Sequence, residues 1–344
     1  MSAAPPTDQA PTSQHGGGGP VRPSRRDLVS PLTWWVAVAN LVCQIGIIVT
    51  GGLVRVTGSG LGCSTWPMCE PGQFTPVFHE ETSYHAFIEF GNRTLTGVLG
   101  VVALALVVLV WRTEPTRRRP DRLHALALAP LAGVILQAVI GGITVLLDLH
   151  PAVVGLHMYV SLGLVAFSTY LLVRLASPDT EPRPLLDART RTFVVVLVAL
   201  AAVMTVLGTI VTGAGPHSGD DTHPYRWALD PLAITRAHAW TVYAFTAVLV
   251  VVLLLLLRRR RAQPALGRAV TAAWTLVGLT VAGAVTGIVQ HNMGLPGGLV
   301  ILHMLIAALV VGATTWLWAS TVDRWASTGD LDLGTPSSVP SNGR

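Results

Sequence analysis

The chain has 344 residues, 51% hydrophobic and only 12% charged, with a formal net charge of +5. That balance excludes a disordered chain and an ordinary soluble domain, and it points to a polytopic membrane protein. All 23 basic residues are arginine, clustered in short segments between apolar runs, a pattern of cytoplasmic loops rather than of a nucleic-acid surface, so no nucleic-acid partner is expected.

Residues 1 to about 30 are rich in Pro, Gly, Ser and Gln, with Arg22, Arg25 and Arg26 near the end, and read as a disordered cytoplasmic tail. The segment is too long and too polar for a signal-peptide n-region, and the apolar run after it has no clear small-residue cleavage site. Eight apolar runs follow, near 33–54, 86–111, 123–147, 152–174, 193–213, 232–257, 268–291 and 297–321. Each suffices for a span of roughly 20 residues, which predicts an all-α integral membrane protein with eight transmembrane helices. The polar stretch 325–344 reads as a second loose cytoplasmic tail. The loop after the second run carries Arg112, Arg117, Arg118, Arg119 and Arg122; that after the fourth carries Arg174, Arg183, Arg189 and Arg191; that after the sixth carries Arg258 to Arg261 and Arg268. The odd loops carry only Arg55 and Arg226. Arginine accumulates on the cytoplasmic side, so both termini are expected inside a cell membrane and the odd loops outside.

The first outer loop holds Cys63 and Cys69 around Ser-Thr-Trp-Pro-Met. Three states are open to them: a disulfide, which persists outside the cytoplasm, two free thiols, or a pair that exchanges with a partner thiol. Cys43 lies inside the first apolar run and reads as a packed core residue. The second run opens on His85-Ala-Phe-Ile-Glu89-Phe-Gly-Asn92-Arg93. Glu89, Asn92 and Arg93 stand at i, i+3 and i+4 and share a helix face; ionisable groups in a membrane helix mark function by default.

The two halves of the chain resemble each other. Ile48-Val49-Thr50-Gly51 returns as Ile210-Val211-Thr212-Gly213, Gly142-Ile143 as Gly287-Ile288, and Leu156-His157-Met158 as Leu302-His303-Met304. The offset of 146 between the two Leu-His-Met triplets carries Asn92 onto His238. Four spans separate equivalent positions, so the repeat is parallel about an axis along the membrane normal, with units at 31–176 and 190–322. Asn92, His157, His238 and His303 all lie about 8–9 Å below the outer surface at 1.5 Å per residue.

Paired intramembrane histidines on facing helices suit axial ligation of haem, and neutral imidazole, the ligating form, suits an apolar site. His238 and His303 are candidate haem ligands, and so is His157, whose opposite number Asn92 is a poor iron ligand; zinc fits less well, because no further ligand is placed at that depth. Gly91, Gly97, Gly100, Gly51, Gly52, Gly141 and Gly142 allow close approach of a flat ligand or of another helix. His85, one turn above Glu89, is a candidate for proton relay or for a hydrogen bond to Glu89 or a propionate. Arg93 and Arg236, beside the ligand positions, suit carboxylate pairing. His217 and His291 are the better outer-face candidates, ahead of His150 and His223, while His15, His79 and His124 carry no signal.

Thr50-Gly-Gly-Leu-Val-Arg-Val-Thr-Gly-Ser-Gly-Leu-Gly-Cys63 with Trp66-Pro-Met-Cys69, Glu89 to Arg93, Leu156-His157, Gly208-Thr209, Gly213-Ala-Gly215, His238, and Gln290 through Leu295-Pro296 to His303 resemble the heme A synthase family, over about 270 residues and all eight spans. The resemblance implies two pseudo-symmetric four-helix bundles. The N-terminal bundle would be the site of haem O oxidation, with Glu89 required and Asn92, Arg93 and His85 around the substrate haem; the C-terminal bundle would hold haem b between His238 and His303. It implies that Cys63 and Cys69 correspond to the paired cysteines of the family's first outer loop. The implied reaction turns a methyl group of haem O into a formyl group by successive hydroxylations. The implied partners are haem O, a haem O synthase and an external electron donor, since no flavin or iron–sulfur motif is present; homo-oligomer formation stays open. One departure stands out: where the family has Glu, two residues, then His-Arg, this chain has Asn92-Arg93. The competing expectations are a non-enzymatic b-type cytochrome that passes electrons from quinol to a partner, and a haem transporter or chaperone.

Overall fold

The computed structural model describes residues 24–77, 84–220 and 224–325. The tails 1–23 and 326–344, together with His15, His79 and His223, lie outside the described residues. The end of the expected N-terminal tail is ordered: Arg25–Leu28 forms a short helix, α1, whose Asp27 carboxylate accepts from the Ser24 N–H at 2.7 Å. Val29 explains the order, because it is 1% exposed and packs with Ala37, Leu106 and Leu171, while the Arg25 guanidinium lies 4.6 Å from the Trp34 ring centroid.

Eight long helices follow: α2 Pro31–Val56, α3 Tyr84–Arg112, α4 Asp121–Leu146, α5 Pro151–Leu175, α6 Ala188–Ala214, α7 Pro231–Arg260, α8 Gly267–Asn292 and α9 Gly297–Ala319. Each is long and apolar enough to cross a bilayer, and the protein is a multi-pass membrane protein. Their starts follow local chemistry. Proline opens α2, α5 and α7, where its missing N–H costs nothing. Ser30 Oγ accepts from the Thr33 N–H at 3.1 Å, and the Asp230 carboxylate from the Leu232 N–H at 3.0 Å. Trp35, Val101, Ile135, Trp240 and Val281 are exposed on the helix surfaces, which is the face a bilayer covers.

Within 31–175 the packed pairs are α2·α3, α3·α4, α4·α5 and α2·α5; within 188–319 they are α6·α7, α7·α8, α8·α9 and α6·α9. Helices α2, α5, α6 and α9 make the contacts between the two sets. One core gathers Leu197, Phe245, Leu249, Leu276 and Leu317 from α6 to α9. A second gathers Ala37, Leu106, Ala127 and Leu171 from α2 to α5. A third lies on the seam, with Ile48, Leu162, Val165 and Ala308. Strand β1 (Arg183–Pro184) pairs antiparallel with β2 (Val322–Asp323) and ties the α5–α6 connection to the chain after α9.

Candidate functional site

Cys63 and Cys69 form a disulfide with Cα atoms 4.4 Å apart, one of the three states open to them in the sequence. Both are fully buried, against Ala86 and Phe90 at the start of α3. Glu89 holds this loop. Its Oε2 accepts the Cys63 N–H at 2.7 Å, while Oε1 accepts Arg93 Nε at 3.0 Å and pairs with Arg93 Nη2. Arg93 Nη1 reaches onward to the carbonyls of Thr65 at 3.0 Å and Met68 at 3.3 Å. The carboxylate is 5% exposed, and burial is tolerated because both oxygens are engaged. Nearby, Ser59 Oγ and His85 Nδ1 are 2.8 Å apart. The face predicted for Glu89 and Arg93 is therefore real, and it is turned to the disulfide loop. Asn92, on the same face, accepts instead from Thr50 Oγ1 on α2 at 2.7 Å.

Each of the three candidate histidines lies against a glycine of the preceding helix. A Cβ placed on Gly141 of α4 would stand 3.4 Å from the His157 ring, one on Gly208 of α6 3.3 Å from His238, and one on Gly287 of α8 3.3 Å from His303. The glycine thus opens the space that the imidazole fills. This corrects the repeat register at one element. Gly287 corresponds to Gly141, not Gly142, because Gly142 meets the Trp66 indole of the disulfide loop, 2.5 Å from where its Cβ would be. Carrying Thr50-Gly51 onto Thr212-Gly213 sets Gly46 against Gly208, and at Gly46 a Cβ would meet nothing within 4 Å. Among the described residues no side chain fills the space at Gly46, and Asn92 bonds to Thr50, one turn further along α2.

The imidazole nitrogens differ in a useful way. His238 Nδ1 lies 3.0 Å from the Met204 carbonyl, which can only accept, so Nδ1 carries the proton and Nε2 keeps its lone pair. The buried Nδ1 of His157 has no partner among the described residues, and that of His303 makes only a loose approach to the Gly283 backbone. Gln137 braces the His157 turn by donating to its carbonyl at 2.9 Å and to Ser161 Oγ.

The remaining candidates lie apart. His217 Nε2 is 2.9 Å from the Leu295 carbonyl and links the α6–α7 and α8–α9 connections. His291 is exposed at the last turn of α8, and Arg236 is exposed on α7. His150 caps α5 and stacks beside Tyr225 at 4.8 Å. Arg55, a lone loop charge in the sequence, does more in the structure. Its Nη2 crosses the seam to the Thr212 carbonyl at 2.8 Å, its buried Nε has no partner among the described residues, and Arg226 is a charged neighbour. The signal available was its isolation, one of two arginines in the odd-numbered loops.

The comparisons add a family. The one described as COX15-CtaA, cytochrome oxidase assembly protein, matches residues 33–315. The chain is also similar to proteins named heme A synthase. That of Bacillus pumilus (strain SAFR-032) is 35% identical over 141 residues, 41% of this chain and 43% of the relative. That of Lysinibacillus sphaericus (strain C3-41) is 37% identical over 142 residues, 41% and 43%, and that of Symbiobacterium thermophilum 32% over 147 residues, 42% and 45%. The aligned stretches thus span under half the length of these relatives. With the family match running from the first turn of α2 to the last turns of α9, the chain belongs to the COX15-CtaA family of cytochrome oxidase assembly proteins.

Proposed function

We propose that this protein is a heme A synthase, an oxidoreductase that converts a methyl group of haem O to a formyl group by successive hydroxylations, with water lost from the gem-diol, for use in aa3-type cytochrome oxidase. The observation that carries the reading is the set of three imidazoles, each seated on a glycine, with a lone pair or an unpartnered nitrogen in an apolar interior. Histidine ligation of haem iron needs a neutral imidazole nitrogen, and the haem carboxylates suit cationic partners. His157, His238 and His303 meet the first need, and the unpartnered Nε of Arg55 meets the second. The residues present therefore fit haem.

In this reading His238 and His303 would hold haem b, which when bound supplies one-electron transfer. His157 approaches the iron of the substrate haem O, and Asn92 offers no second imidazole there. Glu89 and Arg93 fix the disulfide loop against α3 and keep a carboxylate in a site of low dielectric, where it handles a proton or stabilises positive charge at the reacting carbon. Arg93, His85, Arg236, His217 and His291 are second-rank candidates for the haem edges. The helix packing order supports two four-helix bundles, 31–176 for haem O and 190–322 for haem b. Arginine bias supports cytoplasmic termini and an outer disulfide loop. Electrons come from an external donor, and a haem O synthase supplies the substrate.

The test is pigment extraction from membranes of cells that co-express this chain with a haem O synthase. Haem A is expected, and His303→Ala should deplete bound haem b. Recovery of haem B and haem O alone would leave the chain a b-type membrane cytochrome and overturn the proposal.

A further inference from the structure

At the end of the helices opposite the disulfide loop, a cavity of about 310 Å³ opens where α5, α6, α8 and α9 meet. Four arginines line it: Arg174, Arg191, Arg268 and Arg324. Arg174 shares the Asp179 carboxylate with Arg119, and Arg324 Nη1 donates to the Thr180 carbonyl at 2.9 Å. Arg191 and Arg268 are exposed, and neither guanidinium has a bonding partner among the described residues. Among the described residues, no acidic side chain lines the cavity. Arg191 and Arg268 therefore leave it with uncompensated positive charge and with donors free to take an oxyanion in the bidentate manner of guanidinium.

The other wall is apolar and faces outward. Val195 is 54% and Trp318 44% exposed, on helix surfaces that a bilayer would cover, and Trp318 lies beside Tyr170 with ring centroids 5.6 Å apart. Arg191 and Arg268 stand in the first turns of α6 and α8, Arg174 in the last turn of α5, and Arg324 just beyond α9. These are headgroup depths, and aromatic rings gather there too. A free anion would satisfy the arginines but not the apolar wall; a neutral lipid would do the reverse. The geometry points to a binding site for the phosphate headgroup of an anionic phospholipid, with its acyl chains along Val195 and Trp318, wedged where α5 of the first half meets α6 and α9 of the second. Basic pockets between transmembrane helices take such headgroups elsewhere. This site is independent of the haem reading.

Native mass spectrometry of the full-length, delipidated protein in neutral detergent tests it. Titration with phosphatidylglycerol should show one saturable site, with phosphatidylcholine and inorganic phosphate ineffective at the same concentrations. An Arg near the surface contributes about 1 kcal/mol to such binding, so Arg191→Gln with Arg268→Gln should weaken it about thirtyfold. Arg112→Gln with Arg117→Gln removes the same charge elsewhere at this end and should leave it unchanged. Equal loss in both double variants would reduce the effect to diffuse attraction and overturn the site. Equal occupancy by phosphatidylcholine, or displacement by inorganic phosphate, overturns it on the wild-type protein alone.

Discussion

Glu89 is bound on both sides, by the Cys63 N–H and by Arg93, so its removal confounds two effects. Either Glu89→Ala or Glu89→Gln leaves Arg93, with 18% side-chain exposure, without its counter-charge. Breaking a buried pair from one side costs on the order of 3 kcal/mol, and the loop should loosen: the Cys63–Cys69 disulfide becomes reducible and haem A formation stops, while haem b stays bound. Replacing both partners, Glu89→Gln with Arg93→Gln, restores neutrality and should restore disulfide protection, read by thiol alkylation, without restoring haem A. Haem A at wild-type yield in the double variant would show that Glu89 acts only through the loop. The histidines were legible in the sequence because a repeat placed them in register. The carboxylate's partner was not, because it depends on how a 26-residue return brings Cys63 back to Glu89, and no local period encodes that. Arg55 escaped for the same reason, since its partner Thr212 is 157 residues away.

Between elements, the unit that recurs is a histidine of one helix on a glycine of the helix before it. Apolar run length made the eight helices legible to within a few residues, the largest difference being the earlier start of α6, where the Asp187 carboxylate accepts from the Thr190 N–H at 3.3 Å and extends the helix into the polar connection. The one-residue register at Gly141 was not legible, because adjacent glycines look alike until one meets an imidazole and the other an indole. The α2–α3 pair keeps its glycine, Gly46, but carries Asn92. Asn92→His should therefore fit without a clash and add a second imidazole to the first half. On the proposed function the expected readout is spectroscopic: a haem in the first half changes from high-spin to low-spin absorption and stops binding carbon monoxide in its ferrous form. An unchanged spectrum in a folded variant would mean that this seat does not face the iron. The converse change, Gly287→Ala, narrows the His303 seat, where a Cβ would lie 3.3 Å from the ring.

Across the whole molecule, the two helix sets have separate cores joined by an apolar seam, and polar ties stand at both ends of it. On the disulfide-loop side, Arg55 crosses to Thr212. On the other side, Arg324 beyond α9 donates to the Thr180 carbonyl at 2.9 Å, and within the first set Arg119 gathers the carbonyls of Leu28, Arg174, Leu175 and Ser177 and pairs with Asp179 at 2.7 Å. Burial pushes the Asp179 carboxyl upward, but the hydrogen bonds and charges of Arg119 and Arg174 together outweigh it and hold the group below its ordinary value. A carboxyl depressed on folding contributes stability that is present above its unfolded value, near 3.9, and is lost as pH falls through the folded value. Wild-type protein should therefore keep a flat melting temperature down to about pH 4 and lose it below. Asp179→Asn leaves the 9%-exposed Arg119 without its carboxylate, at a cost discounted for the partial exposure of Asp179 to about 2 kcal/mol. That variant should melt earlier at pH 7 and show a weaker fall below pH 4, because the group that titrates there is gone. A wild-type and a variant curve that run parallel through the acid range would place the pH-sensitive tie elsewhere and leave Asp179 a solvated surface charge.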